Sequence, residues 1–218
     1  MLALRRPRGY AESHARFTGE TMDVFEAIRS RRSTRAYQDV PVDDDALNHV
    51  IEAGRFAPSG GNNQTTHFLV IRSRQLLDEL ADLVRTEFSK MDVAEGMYRS
   101  LANAIRAAKS GRYVFHHHAP VLIVTANRIG YGNGMADCAC ALENMMLMAN
   151  GLGLGSCWIN QLHWLSESEA VCAFLRRLGM AENEQAFGAL SLGHAQTSDG
   201  LPAREPLPRT GNPVTFIG

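Results

Sequence analysis

MADCACALENMMLMANGLGLGSCWIN, residues 135–160, decides how the rest of this 218-residue chain is read. Its first part is a long helix, apolar almost all round and broken only by Asp137, Glu143, Asn144 and Asn150. A helix with no polar face belongs at the centre of a domain or in an oligomer interface. The glycines that follow end the helix in a turn, and SCWIN then reads as a short strand. Working outward, PVLIVTAN (120–127) and FLVIRS (68–73) are buried strands, and AFGALSLGHA (186–195) is another.

Between the strands lie helices of ordinary amphipathic character. Asp23 and Glu26 form a capping pair ahead of VFEAIRSR, so a short helix starts near residue 23. In VDDDALNHVIEAGRFAPS (42–59), acids at the front and apolar residues at 47, 50 and 51 predict a helix that ends by Ala57, before Pro58. Further helices are expected over roughly 74–90 and 97–110, and SESEAVCAFLRRLG (166–179) is a capped amphipathic helix. The tail LPAREPLPRTGNPVTFIG reads as extended, ending in a β-prone stretch. Strands and helices mix without the regular alternation of a doubly wound parallel sheet, so the fold class is α+β.

Composition narrows the function. A chain that is 45% hydrophobic with a formal net charge of −1 buries a sizeable core in one domain, and lacks the basic excess of a nucleic-acid or anionic-membrane binder. No apolar run approaches the roughly 20 residues of a membrane span. Residues 1–21 hold arginines but no apolar signal core, and read as a disordered extension rather than a transit peptide. Cys138, Cys140, Cys157 and Cys172 form no C-x-x-C pair and read as reduced, buried thiols of a cytoplasmic protein.

Three motifs carry candidate chemistry. RSRRSTRAYQDVPV (29–42) packs four arginines into seven residues beside hydroxyls, and Arg31, Arg32, Ser33 and Arg35 offer several donors that match phosphate oxygens. The alternative is that arginines at a helix C-terminus simply meet the helix dipole. No Walker loop and no G-x-G-x-x-G after a strand competes for a phosphate, and GLGLG sits where a helix ends. The loop SGGNNQ (59–64) combines glycines with amides that suit a flat heterocycle, or is a plain surface turn. HHH (116–118) is a poor metal site, because neighbours on a strand point to opposite sides. No G-x-S-x-G frames a serine nucleophile.

RRSTRAY, APSGGNNQTTHFLVI, the apolar helix running into GLGLGSCWI, and the late SLGHA occur in one order that resembles the nitroreductase family over residues 22 to about 210. The resemblance implies a nitroreductase-like α+β fold: a central, mostly antiparallel mixed sheet flanked by helices, in an intertwined homodimer. Residues 22–218 would be an FMN-binding domain, with NADH or NADPH as reductant and an electron-poor acceptor such as a nitroaromatic or quinone, in ping-pong order. Other flavin chemistry in the same fold (dehalogenation, enoate reduction, flavin breakdown) and a flavin-binding protein without turnover are the alternatives.

By the same resemblance, Arg31, Arg32, Ser33 and Arg35 hold the flavin phosphate and ribityl chain, with a late Arg204 completing the site and Arg209 as second choice. Ser59, Asn62 and Gln64 lie against the flavin, usually from the partner subunit. Ser156, Cys157, Trp158, Ile159 and Asn160 approach the isoalloxazine ring, and no side chain is assigned as a catalytic acid or base. Residues 86–118 form part of a lid, from which Tyr98, Tyr113 and Phe115 are candidates to stack on a substrate. A C-terminal strand from VTFIG crosses onto the partner. Thr65 and Thr66 stand where the family commonly has a proline and an aromatic.

Overall fold

Two strands that are apolar on both faces pair at the centre of the molecule, and everything else is laid over them. A computed structural model describes residues 22–218; the extension expected over 1–21 lies outside the described residues. In chain order the elements are α1 (Val24–Ser30), α2 (Asp44–Arg55), β1 (His67–Ile71), α3 (Arg74–Ser89), α4 (Arg99–Lys109), β2 (Val121–Arg128), α5 (Gly134–Gly151), β3 (Gly155–Ile159), α6 (Gln161–Trp164), α7 (Glu169–Arg177) and β4 (Glu184–Gly193). The sheet order is β1-β2-β4-β3, and all three pairings are antiparallel. Among the described residues the parallel contribution is a single bridge between Ser33 and Ser156.

The period of two along β2 divides the core into two layers. Leu122, Val124 and Ala126 face one way, against Leu77, Leu80, Val84, Phe88 and Ile105 of α3 and α4. Val121 and Ile123 face the other way, against Leu142, Met145 and Met146 of α5 and Leu47 and Val50 of α2. Leu122, Ile123 and Leu142 are fully buried, each contributing about 2 kcal/mol by leaving water. The helix starts follow their sequence signals. The side chains of Asp23, Asp43, Ser73 and Ser168 accept from the first free amides of α1, α2, α3 and α7.

Some expectations change. Tyr113 and Phe115 do not project over a ligand: Phe115 is fully buried, and Tyr113 packs edge-on against Phe88 while accepting a 2.5 Å hydrogen bond from Gln161. Apolar volume beneath α3 and α4 outcompetes a lid role for these rings. Tyr98 is exposed but rests edge-on against Trp164. His116–His118 form a turn, with φ of 56° and 59° at His117 and His118, rather than a strand. The Cys140 thiol is exposed on α5, whereas Cys138 and Cys157 are buried. Residues 201–218 carry no helix or strand, and the β-prone end leaves Phe216 and Ile217 more than nine-tenths exposed.

Candidate functional site

The arginine segment is placed by one side-chain anchor and one backbone pairing. Asn150, buried near the end of α5, donates to the Ala27 carbonyl at 3.1 Å and to Ser30 Oγ at 2.9 Å, which docks the end of α1 on the end of α5. The Thr34 amide then donates to the Ser156 carbonyl at 2.8 Å, laying RRSTR beside β3. Only glycine fits opposite: a Cβ on Gly155 would stand 2.7 Å from Thr34 Cγ2. The arginine cluster is therefore pinned along the outer edge of the sheet.

From the other end of the chain, Arg204 reaches the same place. One of its terminal nitrogens donates to the Asn150 carbonyl at 2.8 Å, one of the last four carbonyls that α5 leaves without an intrahelical partner. Its Nε is buried and has no hydrogen-bond partner among the described residues. Arg32 donates to the Glu205 carbonyl at 2.5 Å, and Arg31 lies 3.8 Å from Glu143. Ser33 and Arg35 are exposed. Arg31, Arg32 and Arg204 thus gather along the C-terminal half of α5, and Ser33 and Arg35 follow beside β3. Arg29 is the arginine spent structurally, its guanidinium 5.6 Å from the Phe25 ring centre in α1.

The strand beside them offers backbone more than side chains. Cys157 and Ile159 point into the core on the α3 side, and Ser156 is buried. Burial pushes the Cys157 thiol up, against the opposing pull of Arg35, a hydrogen bond with Ser33, and Arg31, so it stays protonated at neutral pH. Trp158 satisfies its indole N–H on Asn160 Oδ1 at 2.7 Å. Those two side chains lock each other and leave the strand's edge facing the arginine segment.

Ser59, Asn62 and Gln64 are elsewhere. The Gly60 amide donates to Asp137 Oδ1 at 3.0 Å, which ties the loop to the first turn of α5. Asp137 and Asn150 are thirteen residues apart, about 20 Å along a helix axis. One chain therefore holds the loop and the arginines at opposite ends of α5. The loop closes on itself: the Gln64 amide donates to Ser59 Oγ at 3.0 Å, and Gln64 Nε2 donates to Asn62 Oδ1 at 3.1 Å. Asn62 and Gln64 both have left-handed backbone, φ 54° and 52°. A cavity of about 530 Å³ opens beneath, with Ser59, Asn62, Gln64, Thr66, Phe68 and Asp137 in its lining.

Asp137, Glu143 and Asn150 were visible in the sequence as interruptions of an apolar helix, but not as anchors. Tyr131, which also bonds to the loop, carried no signal at all. The three histidines come no closer to a metal site. His116 and His118 rings are 6.2 Å apart, and burial, reinforced by the charge of His118, pushes the fully buried His116 down to about 4. Among the described residues no three His, Cys, Asp or Glu side chains are grouped to hold a metal ion, and no helix is long and apolar enough to cross a membrane.

Comparison with known proteins adds a family to this geometry. The sequence profile of the Nitroreductase family matches residues 28–194. A protein of Archaeoglobus fulgidus, provisionally named NADH dehydrogenase/NAD(P)H nitroreductase, is 30% identical over 176 residues, which are 79% of this chain and 85% of that one. The crystal structure of a Bacteroides fragilis nitroreductase with bound FMN superposes with a TM-score of 0.78 at 34% identity, covering 91% of this chain and all of that one. An FMN and NADPH-dependent nitroreductase from Sphigopyxis sp. strain HMH, solved as a point mutant, has a TM-score of 0.65 at 27% identity over 87% and 95% of the two chains.

Proposed function

The chain belongs to the nitroreductase family, and from that premise we propose that it is an FMN-dependent oxidoreductase that uses NADH or NADPH to reduce electron-poor acceptors such as nitroaromatics or quinones. The observation that carries the reading is the convergence of Arg31, Arg32 and Arg204 at the end of α5, with a buried Nε on Arg204 that has no hydrogen-bond partner among the described residues. A buried donor left without an acceptor is costly, and a phosphate oxygen is a strong acceptor for it. The donor set fits the terminal phosphate of FMN.

When bound, FMN would supply the redox chemistry between NAD(P)H and the acceptor. The chain's own residues bind and orient. Arg31, Arg32, Ser33, Arg35 and Arg204 hold the phosphate and ribityl end. The edge of β3 over Ser156–Asn160 presents backbone groups to the ring. Ser59, Asn62 and Gln64 meet the alternating carbonyl and N–H edge of the heterocycle with matching amides and a hydroxyl. Proton transfer is assigned to none of these side chains.

The assembly that this requires is a homodimer. Loop and arginines stay apart within one chain, so a complete site takes the arginine end of one copy and the loop of another. Exposed apolar side chains support such an association: Phe25, Val214, Phe216 and Ile217 would otherwise remain wet. β1 also leaves one edge of the sheet without a strand among the described residues. Four unpaired cysteines suit a reducing compartment such as the cytoplasm.

The first experiment is the visible absorption spectrum of the purified protein, before and after NADH or NADPH is added without oxygen. A yellow protein whose flavin bands bleach is the expected result. A colourless protein that does not take up FMN would overturn the reading.

A further inference from the structure

The segment Ser59–Gln64 is an unlikely shape for a free loop, and the structure shows what imposes it. Gly61, Asn62 and Gln64 all have φ between 52° and 60°. Glycine and asparagine tolerate that region, but glutamine does so only when its surroundings over-determine it. Two side chains outside the loop supply that restraint. Asp137 accepts from the Gly60 amide through Oδ1, at 3.0 Å, and from the Tyr131 hydroxyl through Oδ2, at 3.2 Å. The Tyr131 oxygen also lies 3.2 Å from the Gly60 carbonyl and accepts from Asn63 Nδ2 at 3.3 Å.

Space enforces the same contact. A Cβ on Gly60 would stand 2.7 Å from the Tyr131 oxygen and 2.1 Å from Asn133 Nδ2, so only glycine lets the loop seat on this pair. Asp137 is buried, and it lines the cavity that Ser59, Asn62 and Gln64 also line. It stands in the first turn of α5, where each of its two oxygens accepts from a different donor.

We propose that Tyr131 and Asp137 are positioning residues: a latch at the start of α5 that holds the 59–64 loop in the bent shape presenting Ser59, Asn62 and Gln64 to the cofactor. The cofactor part of this rests on the proposed function; the latch itself rests on the contacts above. Neither residue is required to touch the ligand. Their effect is to pre-set the loop, so that binding does not have to order it.

Two measurements on the full chain separate the two claims. In the apo protein, Tyr131→Phe is expected to raise amide hydrogen exchange of residues 59–66 at least about tenfold. The thermal midpoint should move by no more than about 2 °C, because Tyr131 is only half-buried and outside the core. In an FMN titration the same variant should bind about tenfold more weakly, the scale of one restrained loop released. Asp137→Asn keeps an acceptor for Gly60 and should recover part of the loss that Asp137→Ala suffers. Unchanged exchange in Tyr131→Phe would overturn the latch. Faster exchange with unaltered FMN affinity would overturn its role in presenting the loop. Failure of the wild type to bind FMN would sink the proposed function, while the exchange data would still decide the latch.

Discussion

At its C-terminal end α5 receives Arg204 on the Asn150 carbonyl and holds the arginine segment through the Asn150 side chain; at its N-terminal end it extends a carboxylate to a loop of glycines and amides. Both arrangements obey the helix dipole, with cations where carbonyls are exposed and an anion where amides are. They differ in where their rigidity comes from. The arginine end is held by backbone pairing with β3 and by a buried asparagine. The loop end is held by a hydroxyl and a carboxylate on residues remote in sequence, and its own backbone resists the shape. The first end is built for charge, the second for shape.

The largest test of that contrast is at the arginine end. Replacing Arg31 and Ser33 together with alanine removes charge-assisted donors, and FMN dissociation constants should rise about a hundredfold, against about tenfold for the latch variant. If the double variant keeps its full flavin content through gel filtration, the arginine segment does not hold the phosphate. Next comes stability. Asn150→Ala removes one buried and one half-buried hydrogen bond and should cost about 2 kcal/mol in denaturant unfolding. Asn144→Ala, which loses one half-buried bond to the Ala53 carbonyl, should cost about 1 kcal/mol. Equal losses would mean that the end of α1 is not anchored through Asn150.

The smallest effect lies away from both ends and serves as their background. His116 is neutral in the fold, its pKa pushed from 6.5 down to about 4, so the unfolded chain binds the proton more tightly. Its contribution to stability is present above about pH 6.5 and is lost as pH falls toward about 4. Between about pH 7 and about pH 5.5 it should account for a loss of about 1 kcal/mol, a slope that His116→Leu removes. A slope that survives the substitution would assign the acid sensitivity to other groups.

What could be read from the sequence follows the same division. Strands β2 and β4 announce themselves because both their faces are buried and their apolar runs are continuous. The arginine cluster is legible because its donors sit in one short run. The latch is not, because Tyr131 and Asp137 reach Gly60 across more than seventy residues, and a lone tyrosine in a glycine-rich turn carries no pattern. The packing of Tyr113 and Phe115 is hidden for a related reason: they lie in the irregular stretch between α4 and β2, which has no periodicity to separate a packed ring from a projecting one. α6, four residues long, is below what a 3.6-residue repeat can reveal. The four polar interruptions of α5 were the clue that went furthest. Each of Asp137, Glu143, Asn144 and Asn150 meets a group from another element.

The length of α5 has a consequence for how the holoprotein behaves in solution. A site whose two halves are carried by different copies makes cofactor occupancy a function of chain concentration. By mass action, anything that binds only the paired state draws the monomers together, and dilution works in reverse. On the proposed assembly, FMN is a ligand of the dimer rather than of the chain. Its apparent affinity would then fall as the protein is diluted toward its own dissociation constant, with no residue changed.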